Sequence, residues 1–103
     1  DWDLQTNRAH YSREWKHQLG CEDGEVGDSL DEWQHRLHPD DLARATALVA
    51  AYIAAPWPNF EQEFRLQHTD SSYRWILARG AVYDDAEGKP AHMLGVHIDI
   101  TER

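Results

Sequence analysis

Apolar and polar positions alternate at the start of the chain, where Trp2, Leu4 and Thr6 are interleaved with Asp3 and Gln5. That period of two predicts a half-buried strand over Asp1 to Thr6. Ser12 then suits the cap of a short helix, Arg13 to Leu19, with Glu14 in its first turn and Gly20 as its stop. Ser29 suits the cap of a second short helix through Trp33, which brings Leu30, Trp33 and Leu37 to one side. The clearest helix follows His38-Pro39-Asp40-Asp41. Pro39 has no N–H to leave unpaired in a first turn, and the two aspartates face the positive end of the helix dipole. Leu42, Ala45, Val49, Tyr52 and Ile53 recur at helical spacing until Pro56 and Pro58 end the pattern.

The rest of the chain reads as β-structure. Phe60, Gln62, Phe64 and Leu66 alternate with Glu61, Glu63 and Arg65, giving one largely apolar face and one charged face. Thr69-Asp70-Ser71-Ser72 signals a turn, Tyr73 to Tyr83 the next strand, Asp84 to Pro90 a second turn, and Met93 to Ile100 the last strand. A strand, short helices, a long helix and a three-strand meander make an α+β domain, an antiparallel sheet with helices on one side.

Composition narrows the function. Nineteen acids against ten Lys and Arg give a net charge of −9. That argues against nucleic acid, whose phosphates need clustered cations, and against an anionic membrane surface. Hydrophobic residues at 41% suffice for a core. No apolar run approaches the ~18 residues of a membrane span. The single cysteine, Cys21, has no internal disulfide partner, so a cytoplasmic setting is expected. The chain lacks an initiating Met and ends on Thr101-Glu102-Arg103, polar residues suited to a helix start. It is therefore read as one module, residues 1–103, of a longer protein that is itself free to carry a membrane anchor.

Together, Trp15 with Leu19-Gly20, His38-Pro39-Asp40-Asp41, Phe60 to Leu66, Tyr73 to Leu77, Arg79-Gly80, Gly88-Lys89-Pro90, Gly95 and Asp99 to Arg103 form an ordered set. The set resembles a PAS domain of the PAS/PAC sensory-box type found in bacterial signalling proteins, and it spans nearly the whole chain. The resemblance implies the PAS fold, a five-stranded antiparallel sheet in order 2-1-5-4-3 with helices over one face, enclosing space for a ligand. It also implies a C-terminal output domain in the same chain. A diguanylate cyclase (GGDEF) making cyclic di-GMP is expected first, with a histidine kinase as the alternative. Asp99, Ile100 and Thr101 look like the family's signal exit into a helical linker. Two departures stand out: Asp70-Ser71-Ser72 replaces the usual Asp-Gly-Ser, and Cys21 stands where Tyr is usual.

Alternation sorts the sheet residues, and by resemblance the set with Ile76 and Ala78 faces the cavity. Leu4, Thr6, Leu48, Tyr52, Phe64, Leu66, Ile76, Ala78 and His97 are the candidate pocket residues. An inward His97 could donate or accept hydrogen bonds and change charge near neutral pH. Trp75, Leu77, Val96 and Ile98 share the opposite face and form a candidate interface for a homodimer. The ligand itself is not identified. Flavin-adduct chemistry is disfavoured because Cys21 lies outside an Asn-Cys-Arg-Phe-Leu motif, and a coumaroyl chromophore because Cys21 is wrongly placed. Haem is disfavoured by the resemblance, because haem-binding relatives place an axial histidine on or beside the long helix and Leu42 to Ala55 contains none. His35 and His38, or His10 and His17, find no further ligand, so no metal is expected. Asp40-Asp41 and Asp84-Asp85 fit a helix start and a hairpin tip, and no phosphate loop or nucleophile motif appears, so this segment is not expected to be an enzyme. Two readings remain open: a small-molecule sensor, or a relay and dimerisation module whose core is filled by its own side chains.

Overall fold

A computed structural model describes residues 1–102. The sheet runs β1 (Trp2–Asp3), β2 (Arg8–Ala9), β3 (Phe60–Gln67), β4 (Tyr73–Asp84) and β5 (Pro90–Asp99), in spatial order β2-β1-β5-β4-β3 with antiparallel pairing throughout. Between β2 and β3 come α1 (Arg13–Gln18), a single 3₁₀ turn (Asp23–Glu25), α2 (Asp31–Gln34) and α3 (Pro39–Ala54). These helices cover one face of the sheet.

The caps follow the chemistry of the sequence. Ser12 Oγ accepts from Trp15 N at 3.1 Å, and Gly20 takes φ +78° just past the end of α1. A Cβ on Gly20 would stand 2.4 Å from Thr69 Oγ1 and 2.6 Å from the His68 ring, so this stop needs glycine on both counts. At α2 the expected cap shifts by one: Leu30 is the N-cap residue, and Ser29 Oγ, just before it, accepts from Asp31 N at 3.1 Å. Pro39 opens α3, and the His38 ring accepts from Asp40 N at 3.0 Å. The glycine-free turn at Asp70-Ser71-Ser72 puts Ser71 itself at φ +74°, while Asp70 Oδ1 accepts from the Ser72 backbone N–H and hydroxyl.

Two expected features change. The first strand is only Trp2–Asp3, not Asp1 to Thr6. Asp3 Oδ1 accepts from the N–H of both Gln5 and Thr6, and Asn7 sits at φ +63°, so the chain turns back at once into β2. The apolar stripe of α3 holds at Ala45, Val49 and Tyr52 but fails in its first turn. Leu42 is 41% exposed, whereas Asp41 is buried. Asp41 holds Arg65 of β3 through Oδ2 to the backbone N–H (2.9 Å) and Nε (3.0 Å), and through Oδ1 to Nη2 (2.9 Å). The guanidinium holds the carboxyl far below the usual range, at about 2. His38 N–H donates to Arg65 O and Gln67 N–H to Arg36 O, so residues 36–38 cover the outer edge of β3.

The inner face of the sheet reads in rows across the strands. Phe64 opposes Ile76, and Gln62 and His97 flank Ala78. Phe60 stands beside Gly80, which faces Gly95, and Val82, Met93, Trp2 and Ala9 form the last row. Phe64, Leu66, Ile76 and Leu19 are the largest fully buried side chains. With Trp33, Leu37, Ala45, Val49 and Tyr52 they form one core.

Candidate functional site: a cavity between the helices and the sheet

The core leaves a cavity of about 450 Å³ between α1, α2, the middle of α3 and the sheet. That size is typical of small-ligand sites. Its walls are mostly aromatic and aliphatic: Trp2, Tyr11, Trp15, Trp33, Phe60 and Phe64 supply the rings. Its floor is low because the sheet is bare there. Ala78 and Gly95 line it, and Gly80 lies directly opposite Gly95. The two strands approach so closely that a Cβ on either glycine would sit 3.0 Å from a carbonyl oxygen of the other strand.

Of the nine candidate pocket residues, Phe64, Ala78 and His97 line the cavity. The other six candidate pocket residues do not. Leu4 and Thr6 belong to the turn that replaces the end of the expected first strand. On α3, Val49 rather than Leu48 meets the cavity. Tyr52 is drawn to one side, where its ring stacks on Phe60 (centroids 4.4 Å) and its hydroxyl accepts from Val82 N at 3.2 Å. Leu66 and Ile76 are buried in solid core. Gln62, Trp15, Trp33 and Tyr11 were not among the candidates, although Gln62 shares the period-two face of Phe60 and Phe64.

The polar groups of the wall are few and specific. Trp15 Nε1 donates to His97 Nδ1 at 2.8 Å. That bond makes Nδ1 an acceptor, so the neutral ring carries its proton on Nε2. Burial lowers the pKa of His97 to about 4, and protonation would set two N–H donors against each other. His97 is therefore a fixed neutral donor, and the expectation that it changes charge near pH 7 is corrected by its burial. Tyr11 donates its hydroxyl to Ser29 O at 2.7 Å, and burial raises its pKa to about 12. Gln62 Nε2 donates to Ala45 O at 3.2 Å, but its Oε1 has no partner. Trp33 Nε1 likewise has none. A buried polar group left unpaired costs about 1–3 kcal/mol, so two on one wall call for a reason. The ionisable side chains lining the cavity besides His97 and Tyr11, those of Asp1, His10, Glu14 and Arg79, belong to exposed residues, and Arg79 is paired with Glu61 at 3.1 Å. Among the described residues no three His, Cys, Asp or Glu side chains converge as a metal site would require.

The opposite face of the sheet is apolar and open. Trp75 and Ile98 are each 40% exposed and Val96 59%, with Leu77 half-buried between them and Leu94 and Tyr83 exposed further along. The Arg65 guanidinium lies 4.9 Å from the Trp75 ring centre. Asp99 Oδ1 accepts from Thr101 N at 2.9 Å and from the Thr101 hydroxyl, while that hydroxyl oxygen accepts from Trp75 N at 3.0 Å and Ile100 N donates to Trp75 O at 2.8 Å. Asp99, Ile100 and Thr101 are thus pinned to β4 at Trp75, two residues beyond His97.

Comparison with known proteins gives a consistent answer. A family model described as the PAS fold matches residues 8–97. The sensor protein FixL of Bradyrhizobium diazoefficiens is 29% identical over 102 residues, covering 99% of this chain and 20% of that protein. The chain thus spans about one fifth of that relative's length. Among solved structures, a sensory box histidine kinase/response regulator from Burkholderia thailandensis is 31% identical, with a TM-score of 0.80 over 98% of this chain and 74% of the other. The N-terminal domain of a diguanylate cyclase with PAS/PAC sensor from Marinobacter aquaeolei is 24% identical, with a TM-score of 0.87, covering 98% and 92%.

Proposed function

From the premise that this chain belongs to the PAS fold family and is a sensory domain of signalling proteins, we propose that it detects a small molecule in the cavity and passes the change to an output domain in the same chain. One observation carries this reading. His97 reaches the cavity from β5, and two residues later the same strand enters the Asp99–Thr101 cluster pinned to Trp75. A ligand that prefers one placement of β5 therefore biases the exit, by its difference in affinity for the two placements. The unfilled volume and the unpaired Gln62 and Trp33 atoms favour a ligand over a core filled by its own side chains.

The output is a signalling enzyme. A diguanylate cyclase making cyclic di-GMP is supported by the wording of the motifs, and a histidine kinase by the 31% identity to the Burkholderia protein. The apolar outer face, Trp75, Leu77, Val96 and Ile98, is the homodimer surface in this reading. Native mass spectrometry of the purified chain, with an absorption spectrum of the same sample, tests it. A retained small-molecule mass, or saturable binding from a metabolite extract, is the expected result. A chain that retains nothing, and binds nothing from that extract, overturns the sensor reading in favour of a relay module. Assay of the full-length protein for cyclic di-GMP synthesis and for autophosphorylation decides the output.

A further inference from the structure

The cavity's polar groups specify more than the presence of a ligand. Gln62, Ala78 and His97 are directly paired across β3, β4 and β5. Neighbouring strands lie about 4.8 Å apart, so Gln62 and His97 rise roughly 10 Å from each other on either side of a single methyl group. On one flank stands a donor of fixed tautomer, His97 Nε2–H, which has no protein acceptor among the described residues. On the other stands Gln62 Oε1, a buried acceptor whose own amide N–H is already given to Ala45 O. Trp33 Nε1–H is a second unpaired donor in the same wall. Gln62 and Trp33 are each more than nine-tenths buried. Their free atoms are closed to a water-sized group as the side chains stand, so a ligand meets them through a small turn of the Gln62 amide or the Trp33 ring toward the cavity that both residues line. The inner walls offer aromatic rings, and the cations that reach the cavity belong to exposed residues already engaged, Arg79 with Glu61 and the Asp1 ammonium with His10 O.

We propose that the cavity takes an uncharged planar ring compound lying over Ala78, with a carbonyl or ring-nitrogen acceptor on the His97 Nε2–H and a donor at its other end on Gln62 Oε1. The inference rests on the sensor reading and adds the ligand's chemistry to it. A ring with acceptor and N–H at opposite ends spans the slot. A carboxylate or phosphate in the interior would be buried without a cation, at a large desolvation cost.

Three bicyclic probes of similar shape test this against the 103-residue chain: quinolin-4(1H)-one, which has acceptor and donor at opposite ends, naphthalene, which has neither, and 2-naphthoate, which is anionic. Titration is followed by two-dimensional NMR of the tryptophan indole N–H signals and of the histidine ring nitrogens. Quinolin-4(1H)-one binds at least tenfold more tightly than either competitor, shifts the Trp33 and Trp15 indole signals, and perturbs His97 Nε2. In His97→Phe and Gln62→Met this preference over naphthalene falls to about threefold or less. If His97→Phe fails to fold, Gln62→Met alone decides. Equal binding of all three probes, or preference for 2-naphthoate, overturns the proposed chemistry while leaving the cavity a ligand site. Failure of every probe to bind overturns the proposed chemistry, while the sensor reading stands or falls on the extract-binding test.

Discussion

Removing Asp41 tests how the helical layer is fastened to the sheet. In Asp41→Ala the Arg65 backbone N–H, on the covered edge of β3, loses its acceptor, which costs about 1–2 kcal/mol. The guanidinium loses two charge-assisted bonds at 2.9 and 3.0 Å. Arg65 keeps 27% side-chain exposure and its place over Trp75, so it rehydrates in part, and this adds about 1–2 kcal/mol rather than the full penalty of a buried orphan charge. The expected loss is about 3 kcal/mol. At roughly 4–8 °C per kcal/mol for a domain of this size, Tm falls by about 12–24 °C. Asp41→Asn keeps an acceptor for the N–H and loses the charge, so it costs about half as much. The pH dependence gives an independent reading. The folded pKa is about 2, below the ordinary value of 3.8. The carboxylate's contribution, about 2 kcal/mol, is complete above pH ~4 and is lost as pH falls toward 2. Asp3, Asp70 and Asp85 also have lowered pKa values, so the diagnostic is the difference between wild type and Asp41→Asn in urea unfolding at pH 7 and pH 3. The gap between the two proteins must narrow at pH 3. An Asp41→Ala variant within 1 kcal/mol of wild type, or a gap that does not depend on pH, refutes this account of the α3–β3 clamp.

Ser71→Gly relieves a left-handed serine at φ +74° and is expected to be neutral or stabilising by up to about 1 kcal/mol, read as the urea midpoint; a destabilised variant would mean the Asp70 turn prefers its serine. Gly95→Val thrusts a side chain from a site 3.0 Å from Arg79 O into the cavity floor, so both Tm and probe binding should drop, and unchanged binding would place the ligand elsewhere. Val96→Glu, on a side chain already 59% exposed, leaves the monomer's Tm nearly unchanged but weakens self-association at least tenfold by analytical ultracentrifugation. Asp99→Ala removes the acceptor that holds Thr101 and should leave ligand binding intact while uncoupling it from output in the full-length protein; normal regulation there would exclude the exit role.

The period-two pattern was enough to place Phe60, Gln62, Phe64 and Leu66 on one face of β3, because strand geometry decides which way a side chain points. The family resemblance was needed to put Ala78 and His97 on the cavity side, since the pattern sorts each strand only against itself. It could not say which stretch of that face lies beneath a void. That depends on whether the helix above presents Val49 or Leu48, and on Tyr52 being drawn toward Val82. Helical periodicity failed at Leu42 for a related reason. A hydrophobic stripe assumes that polar residues prefer water, and Asp41 instead finds three donors on a strand 24 residues away. The first strand was overread because alternation cannot see that Asp3 will take the N–H groups of Gln5 and Thr6 and end the ladder. His97 shows the limit most clearly. The sequence places an imidazole on the cavity side, where an isolated ring would titrate near pH 6.5. Burial decides that it does not, and the Trp15 indole, 82 residues earlier, fixes the tautomer of the neutral ring, so a potential pH switch becomes a permanent donor. The chemistry of this cavity therefore resides less in its lining residues taken singly than in long-range pairings, Trp15 with His97 and Gln62 with Ala45, that orient the groups a ligand would meet.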